Sequence, residues 1–341
     1  MTLDTPLKLI GARRFQVTLL GVALALVCSV AAAANTCKLI KIADLPVKLE
    51  NNHVYVEGAI NGRTIDIMLD TGAMRSLMPR SAATRLGLSR QETPFKSFGV
   101  GGGTTMEVVS INEFKMGGAT RRAWRVYTAG ERDFGASVGF ILGDDFLSQF
   151  DVEFDLAHKA VRLFQPKDCS GVSLAYWSLT DYSEVAIERV DDFHPQIVLT
   201  VLINDQPVDV LLDSGAGASV IIKSAAARLG VTPETAGVAA VGKSVGVGPN
   251  AVDSWIGPFR SFVIGNEKIS DTSIRFADLF GAPGPHEHSM LLGADFFFAH
   301  RVFVAHSQRK IYFTYAGGPV FQLTGPLTIR DPPSVEDVVK P

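Results

Sequence analysis

Cysteine is scarce in this chain: three residues in 341, at positions 28, 37 and 169, with no Cys-x-x-Cys spacing. That excludes the usual structural zinc site and a disulfide-dense small scaffold. Charge of one sign is lacking too. The 32 Lys and Arg against 35 Asp and Glu leave a formal charge of −3. No run of five or more basic residues occurs, so the surface that carries non-specific nucleic-acid affinity is missing. DNA and RNA are not expected partners. Also absent is a βαβ alternation, which argues against dinucleotide-binding and α/β-hydrolase folds. What remains is 47% hydrophobic and 20% charged, a balance that excludes disorder for most of the chain. The length allows two domains, each with its own core.

The amino terminus reads as an address. Arg13 and Arg14 precede an apolar run over 15–27, and Ser29, Val30 and four alanines follow. This is the pattern of a secretory signal peptide, assigned to residues 1–34, and it implies a periplasmic or secreted protein. A retained anchor is the alternative, because 15–34 approaches bilayer length. Gln16, Thr18 and the closing alanines favour cleavage, with no stable membrane insertion afterwards. Val27 weakens a lipidation reading of Cys28. Cleavage leaves Cys37 and Cys169 in a compartment that permits disulfides, and they are expected to pair. Closing so long a loop contributes roughly 4 to 5 kcal/mol in the chain-entropy model.

An internal duplication organises the rest. The segment from Ile60 through Asp70-Thr71-Gly72-Ala73 lies over that from Ile203 through Asp213-Ser214-Gly215-Ala216 at an offset of 143. Ser76, Ser81, Ala82, Ala83, Arg85, Leu86 and Gly87 fall without a gap on Ser219, Ser224, Ala225, Ala226, Arg228, Leu229 and Gly230. A second block, Ile141-Leu142-Gly143-Asp144-Asp145-Phe146, lies over Leu291-Leu292-Gly293-Ala294-Asp295-Phe296 at an offset of 150. The extra residues imply a loop near Ala282-Pro283-Gly284-Pro285. The expected organisation is one lobe at 35–166, a linker at 167–184, a second lobe at 185–316 and a loose or surface-wrapping tail at 317–341.

Short β-rich runs at 54–56, 65–69, 161–164, 197–203, 208–212 and 310–313 predict strands. Asn61-Gly62 predicts a hairpin. One helix per lobe is expected at 81–86 and 224–229, each ended by Gly. The fold class is therefore all-β: two homologous small barrels, each with a short helix, related by a pseudo-twofold axis.

The chemistry is expected at the two matched turns. A lone Asp-Thr-Gly is an ordinary turn after a strand. Duplication changes this, because a residue near a pseudo-twofold axis meets its counterpart across it. Asp70 would then face Asp213, and two carboxylates in contact hold one proton between them.

On these motifs the chain resembles the retropepsin-like aspartic proteases, duplicated into one pepsin-style bilobal chain. The resemblance rests on Asp-Thr-Gly-Ala, Asp-Ser-Gly-Ala and the two downstream apolar-apolar-Gly strands. It implies an endopeptidase with catalytic Asp70 and Asp213, needing no metal and no cofactor. Thr71 and Ser214 would lock the turns together, while Gly72, Ala73, Gly215 and Ala216 complete them. Gly101, Gly102 and Gly103 in one half, and Gly246 and Gly248 in the other, fall where the family has a mobile flap. Neither flap carries a Tyr at its tip. The implied partner is an extended peptide or protein, and the two lobes pair within one chain, a monomer, in preference to a dimer. Arg75 reads as a solvated side chain near the first turn.

Three other motifs carry less. Gly135-Ala136-Ser137-Val138-Gly139 and Gly242-Lys243-Ser244-Val245-Gly246 fit a serine-nucleophile pattern but lack its strand-before, helix-after context. His286-Glu287-His288 lies among Pro and Gly without a third metal ligand. Phe296-Phe297-Phe298 reads as core. The main rival to a protease is a catalytically silent peptide- or protein-binding module, and a self-associating β protein is the third reading. A silent relative is free to lose one Asp, and both are present.

Overall fold

The computed structural model describes residues 37–130, 132–188, 195–279 and 288–321. The signal segment, the loop expected at 282–285, His286, Glu287 and the tail beyond 321 lie outside the described residues. Contacts group residues 35–341 into one unit.

In the first half the strands are β1 (Lys38–Glu50), β2 (His53–Ile60), β3 (Arg63–Leu69), β4 (Leu77–Pro79), β5 (Gln91–Gly99), β6 (Gly102–Met116), β7 (Ala119–Ala129), β8 (Val138–Leu142), β9 (Asp151–Asp155) and β10 (Ala160–Lys167). In the second they are β11 (Ser183–Ala186), β12 (Val198–Ile203), β13 (Gln206–Leu212), β14 (Val220–Ile222), β15 (Ala239–Ser244), β16 (Val252–Ile264), β17 (Glu267–Ala277), β18 (Met290–Leu292), β19 (His300–Ala305) and β20 (Lys310–Tyr315). The order β2-β3-β8-β4-β7-β6 closes on itself through a β2–β6 pairing, and β12-β13-β18-β14-β17-β16 closes through β12–β16. Each half is thus a six-stranded ring, and closure leaves no bare edge along it. The Asn61-Gly62 hairpin forms, with Ile60 opposite Arg63.

Each ring is filled from its strands' inward positions. Val54, Val56, Ile60, Ile67 and Phe140 are buried in the first, and Val201, Ile203, Val210, Phe262 and Phe276 in the second. The expected helices form as α1 (Arg80–Arg85) and α3 (Lys223–Arg228), each burying two alanines against its barrel. One helix per lobe undercounts the structure. A second short helix follows the apolar-apolar-Gly strand in each half: α2 (Asp144–Leu147) and α4 (Ala294–Ala299). Phe296, Phe297 and Phe298 are core residues of α4.

The halves are stitched by a sheet with the order β11-β20-β19-β9-β10-β1, in which β9 and β19 pair antiparallel across the middle. Glu153 of β9 lies opposite Phe303 of β19 there. Its carboxylate is fully buried and accepts from Arg162 (2.8 Å), Arg301 (2.8 Å) and Tyr176 (2.8 Å). A buried carboxylate needs such partners, since desolvation is otherwise uncompensated. Cys37 and Cys169 form a disulfide beside this sheet, closing a separation of 132 residues.

Among the described residues no helix is long and apolar enough to cross a membrane, and no group of three or more His, Cys, Asp or Glu is arranged to hold a metal ion.

Candidate active site

Two parallel pairings build the site. In the first half β3 runs beside β8, with Leu69 opposite Leu142, and β4 pairs on the other side of β8 with Leu77 opposite Ile141. In the second half β13 runs beside β18, with Leu212 opposite Leu292, and Val220 of β14 lies opposite Leu291. The apolar-apolar-Gly strand is therefore held between the strand entering each Asp turn and the strand leaving it. Asp70 N–H donates to Leu142 O at 3.0 Å, and Asp213 N–H to Leu292 O at 2.9 Å.

The turns reproduce each other. Asp70 Oδ1 accepts from Gly72 N–H (3.0 Å) and Ala73 N–H (2.9 Å). Asp213 Oδ1 accepts from Gly215 N–H (2.9 Å) and Ala216 N–H (2.9 Å). Between the turns, Thr71 Oγ1 donates to Leu212 O at 2.7 Å and accepts from Ser214 N–H at 3.0 Å. Ser214 Oγ donates to Leu69 O at 2.8 Å and accepts from Thr71 N–H at 3.1 Å. Both hydroxyls are buried, so the four bonds hold the halves in one register without competition from water.

This clamp sets Asp70 and Asp213 in hydrogen-bonding contact. Glycine is required beside them. A Cβ on Gly72 would collide with the Asp213 carboxyl, and one on Gly215 with the Asp70 carboxyl. Burial raises both acids above the usual carboxylate range. For Asp213 the rise is large, because the Asp70 charge adds to burial; for Asp70 the N–H bonds and the proton on its partner offset part of the burial effect. The pair is one titrating unit that keeps a proton well above the pH at which a free Asp loses it.

The flap glycines also converge. The β5–β6 and β15–β16 hairpins meet tip to tip: Gly248 N–H donates to Val100 O at 3.0 Å, and Asn250 N–H to Gly101 O at 3.2 Å. A Cβ on Gly248 would overlap the Gly101–Gly102 backbone, so this closeness needs glycine. Gly246 packs on Val100. Gly103 lies under the exposed Phe98 ring, away from the tip-to-tip bonds. Of the other motif residues, Ser244 exchanges a hydrogen bond with Ser254 at 2.7 Å, and Arg75 is exposed.

Several supports escaped the sequence reading. Ser76 Oγ donates to Asp145 (2.6 Å) and accepts from Gly143 N–H (3.1 Å). Ser219 does the same with Asp295 (2.6 Å) and Gly293 N–H (2.9 Å). All four carboxyl and hydroxyl residues lie in the duplicated blocks, which was the available signal. Behind the turns, Gln196 Nε2 donates to Gly72 O at 2.9 Å, and its counterpart His53 bonds the Gly215 backbone. Asp144 is fully buried, and neither of its carboxyl oxygens has a hydrogen-bond partner among the described residues.

Comparison with known families decides what this geometry belongs to. Residues 56–149 match the family described as "gag-polyprotein putative aspartyl protease", and residues 199–296 match the family described as "Aspartyl protease". Together the matches span more than half of the chain. The chain is a tandem pair of aspartyl protease domains. One aspartyl protease match begins in β2 and contains the Asp70 turn; the other begins in β12 and contains the Asp213 turn. No curated protein matches the chain.

Proposed function

We propose that the chain is an aspartic endopeptidase whose single site is shared by the lobes at 35–166 and 185–316. The observation that carries this is the hydrogen-bonded contact of Asp70 with Asp213 across two mirrored turns. The ionised member takes a proton from a water held between them, and that water attacks a peptide carbonyl. The protonated member donates to the carbonyl oxygen. Both carboxyls are raised and titrate as one unit, so the resting pair holds one proton and supplies one acid and one base. The flaps close over an extended peptide and exclude bulk water.

The protein works outside the cytoplasm, in the periplasm or after secretion, and as a monomer. The Cys37–Cys169 bridge supports an oxidising compartment. Both members of the dyad come from one chain, which supports the monomer.

Incubation of the mature chain with a diverse peptide mixture from pH 3 to 7, read by mass spectrometry, tests the activity. Internal cleavage by wild type and none by Asp70→Asn is the expected result. Absence of cleavage by wild type across that range would overturn it in favour of a peptide-binding module.

A further inference from the structure

A guanidinium beside the second lobe's flap, that of Arg132, is not used by the mechanism. Arg132 follows β7 in the first lobe. Its Nη1 donates to Val245 O, on the tip of the second lobe's flap, at 3.2 Å, and its guanidinium lies over the Phe134 ring at 4.9 Å. From the other side it acts electrostatically on His53 and Tyr55. His53 in turn bonds the backbone of Gly215, in the catalytic turn. Arg132 therefore stands between the second lobe's flap and the residues behind the Asp213 turn.

The Arg132 side chain is part-buried, and no carboxylate among the described residues pairs with it. The adjacent Asp133 is taken by Arg85 (3.1 Å), Ser81 (3.2 Å) and Gly135 N–H (3.1 Å). A guanidinium has five donors in a planar fork that suits a carboxylate. The bond to Val245 O uses one.

We infer that Arg132 makes the cleft selective for peptides with an acidic side chain on one side of the scissile bond, the Asp or Glu carboxylate pairing with its guanidinium. This rests on the endopeptidase reading for its substrate class. Closing the flaps removes water from the pair and strengthens it. A charged hydrogen bond of this kind corresponds to a preference of about 10- to 100-fold over the neutral amide.

The test uses matched peptides differing only as Glu or Gln at each of three positions on either side of the cleavable bond. Binding to Asp70→Asn protein by fluorescence anisotropy separates recognition from turnover. At one position the Glu peptide is expected to bind at least about 10-fold tighter than its Gln twin. Adding Arg132→Met removes the ratio, Arg132→Lys keeps most of it, and Arg132→Glu inverts it toward a Lys peptide. If Arg132 only holds Val245, Arg132→Met weakens both peptides equally and the ratio survives, which overturns the proposal. Lack of Glu/Gln discrimination at every position, or of any binding, also overturns it. Discrimination in binding without cleavage by wild type would leave the Arg132 assignment standing and refute the peptidase instead.

Discussion

The two lobes agree where they meet and diverge behind the meeting point. At the Asp turns the N–H donors, the hydroxyl clamp and the Ser–Asp supports repeat almost bond for bond. One layer further back the twins part company. Asp144 of α2 has Ala294 as its counterpart, Leu156 has His306, His53 has Gln196, and on the axis Glu153 faces Phe303. A shared site demands that both halves present the same backbone to it, so those positions are held alike. The layer behind carries no such demand, and in each divergent pair one member is titratable. The asymmetry therefore sets how the protein responds to pH and how its halves are joined.

Exchanging twins breaks the comparison in measurable ways. Largest is Glu153→Ala, which leaves Arg162 and Arg301 without their buried carboxylate in the sheet between the lobes; chemical denaturation should show a loss of about 3–5 kcal/mol. His306→Leu copies the Leu156 twin. Burial holds His306 down at about 4, and its ring nitrogens have no hydrogen-bond partner among the described residues. The unfolded chain therefore takes up the proton first as pH falls. Stability linked to this group is complete above 6.5 and is lost progressively down to about 4, so the variant should gain up to about 3 kcal/mol near pH 4 and much less at pH 7.

Removal of one clamp hydroxyl, Ser214→Ala, should cost about 1–3 kcal/mol, because Leu69 O and Thr71 N–H lose a buried partner. Thr71→Val should cost a similar amount if the lobes are equivalent at the clamp, and unequal losses would show that one turn depends more on the other. Smallest is Asp144→Ala. Burial first, then the charges of Asp70, Asp213 and Asp145, raise this carboxyl well above the usual range. A raised native value means that stability is present below the unfolded value and is lost as pH rises through the native one. The variant should therefore gain about 1 kcal/mol at pH 7 and nothing near pH 3, read as the pH dependence of thermal unfolding.

Much of this was legible before any coordinates. The repeat located both Asp turns and both apolar-apolar-Gly strands, because those residues are constrained twice over. The export signature and two remaining cysteines sufficed for the disulfide. What stayed hidden is non-local. Pairing of β9 with β19 joins residues about 150 apart, and no local pattern records it. α2 and α4 were missed because each begins directly after a strand-like Leu-Gly, where four to six residues leave little helical periodicity. Ser76 and Asp145 were each visible as repeated residues, but their bond spans 69 positions. Arg132 carries no motif at all, and only its bond to Val245 O on the opposite flap singles it out.

The shared dyad itself is tested most directly by comparing peptide cleavage by wild type, Asp70→Asn and Asp213→Asn at one acidic pH, with thermal unfolding as the control for folding. Because one site draws on both lobes, the two variants should lose activity to a similar extent, about 10²-fold or more, while each still unfolds cooperatively. Full activity in either variant, with its fold intact, would contradict a site built across the two lobes.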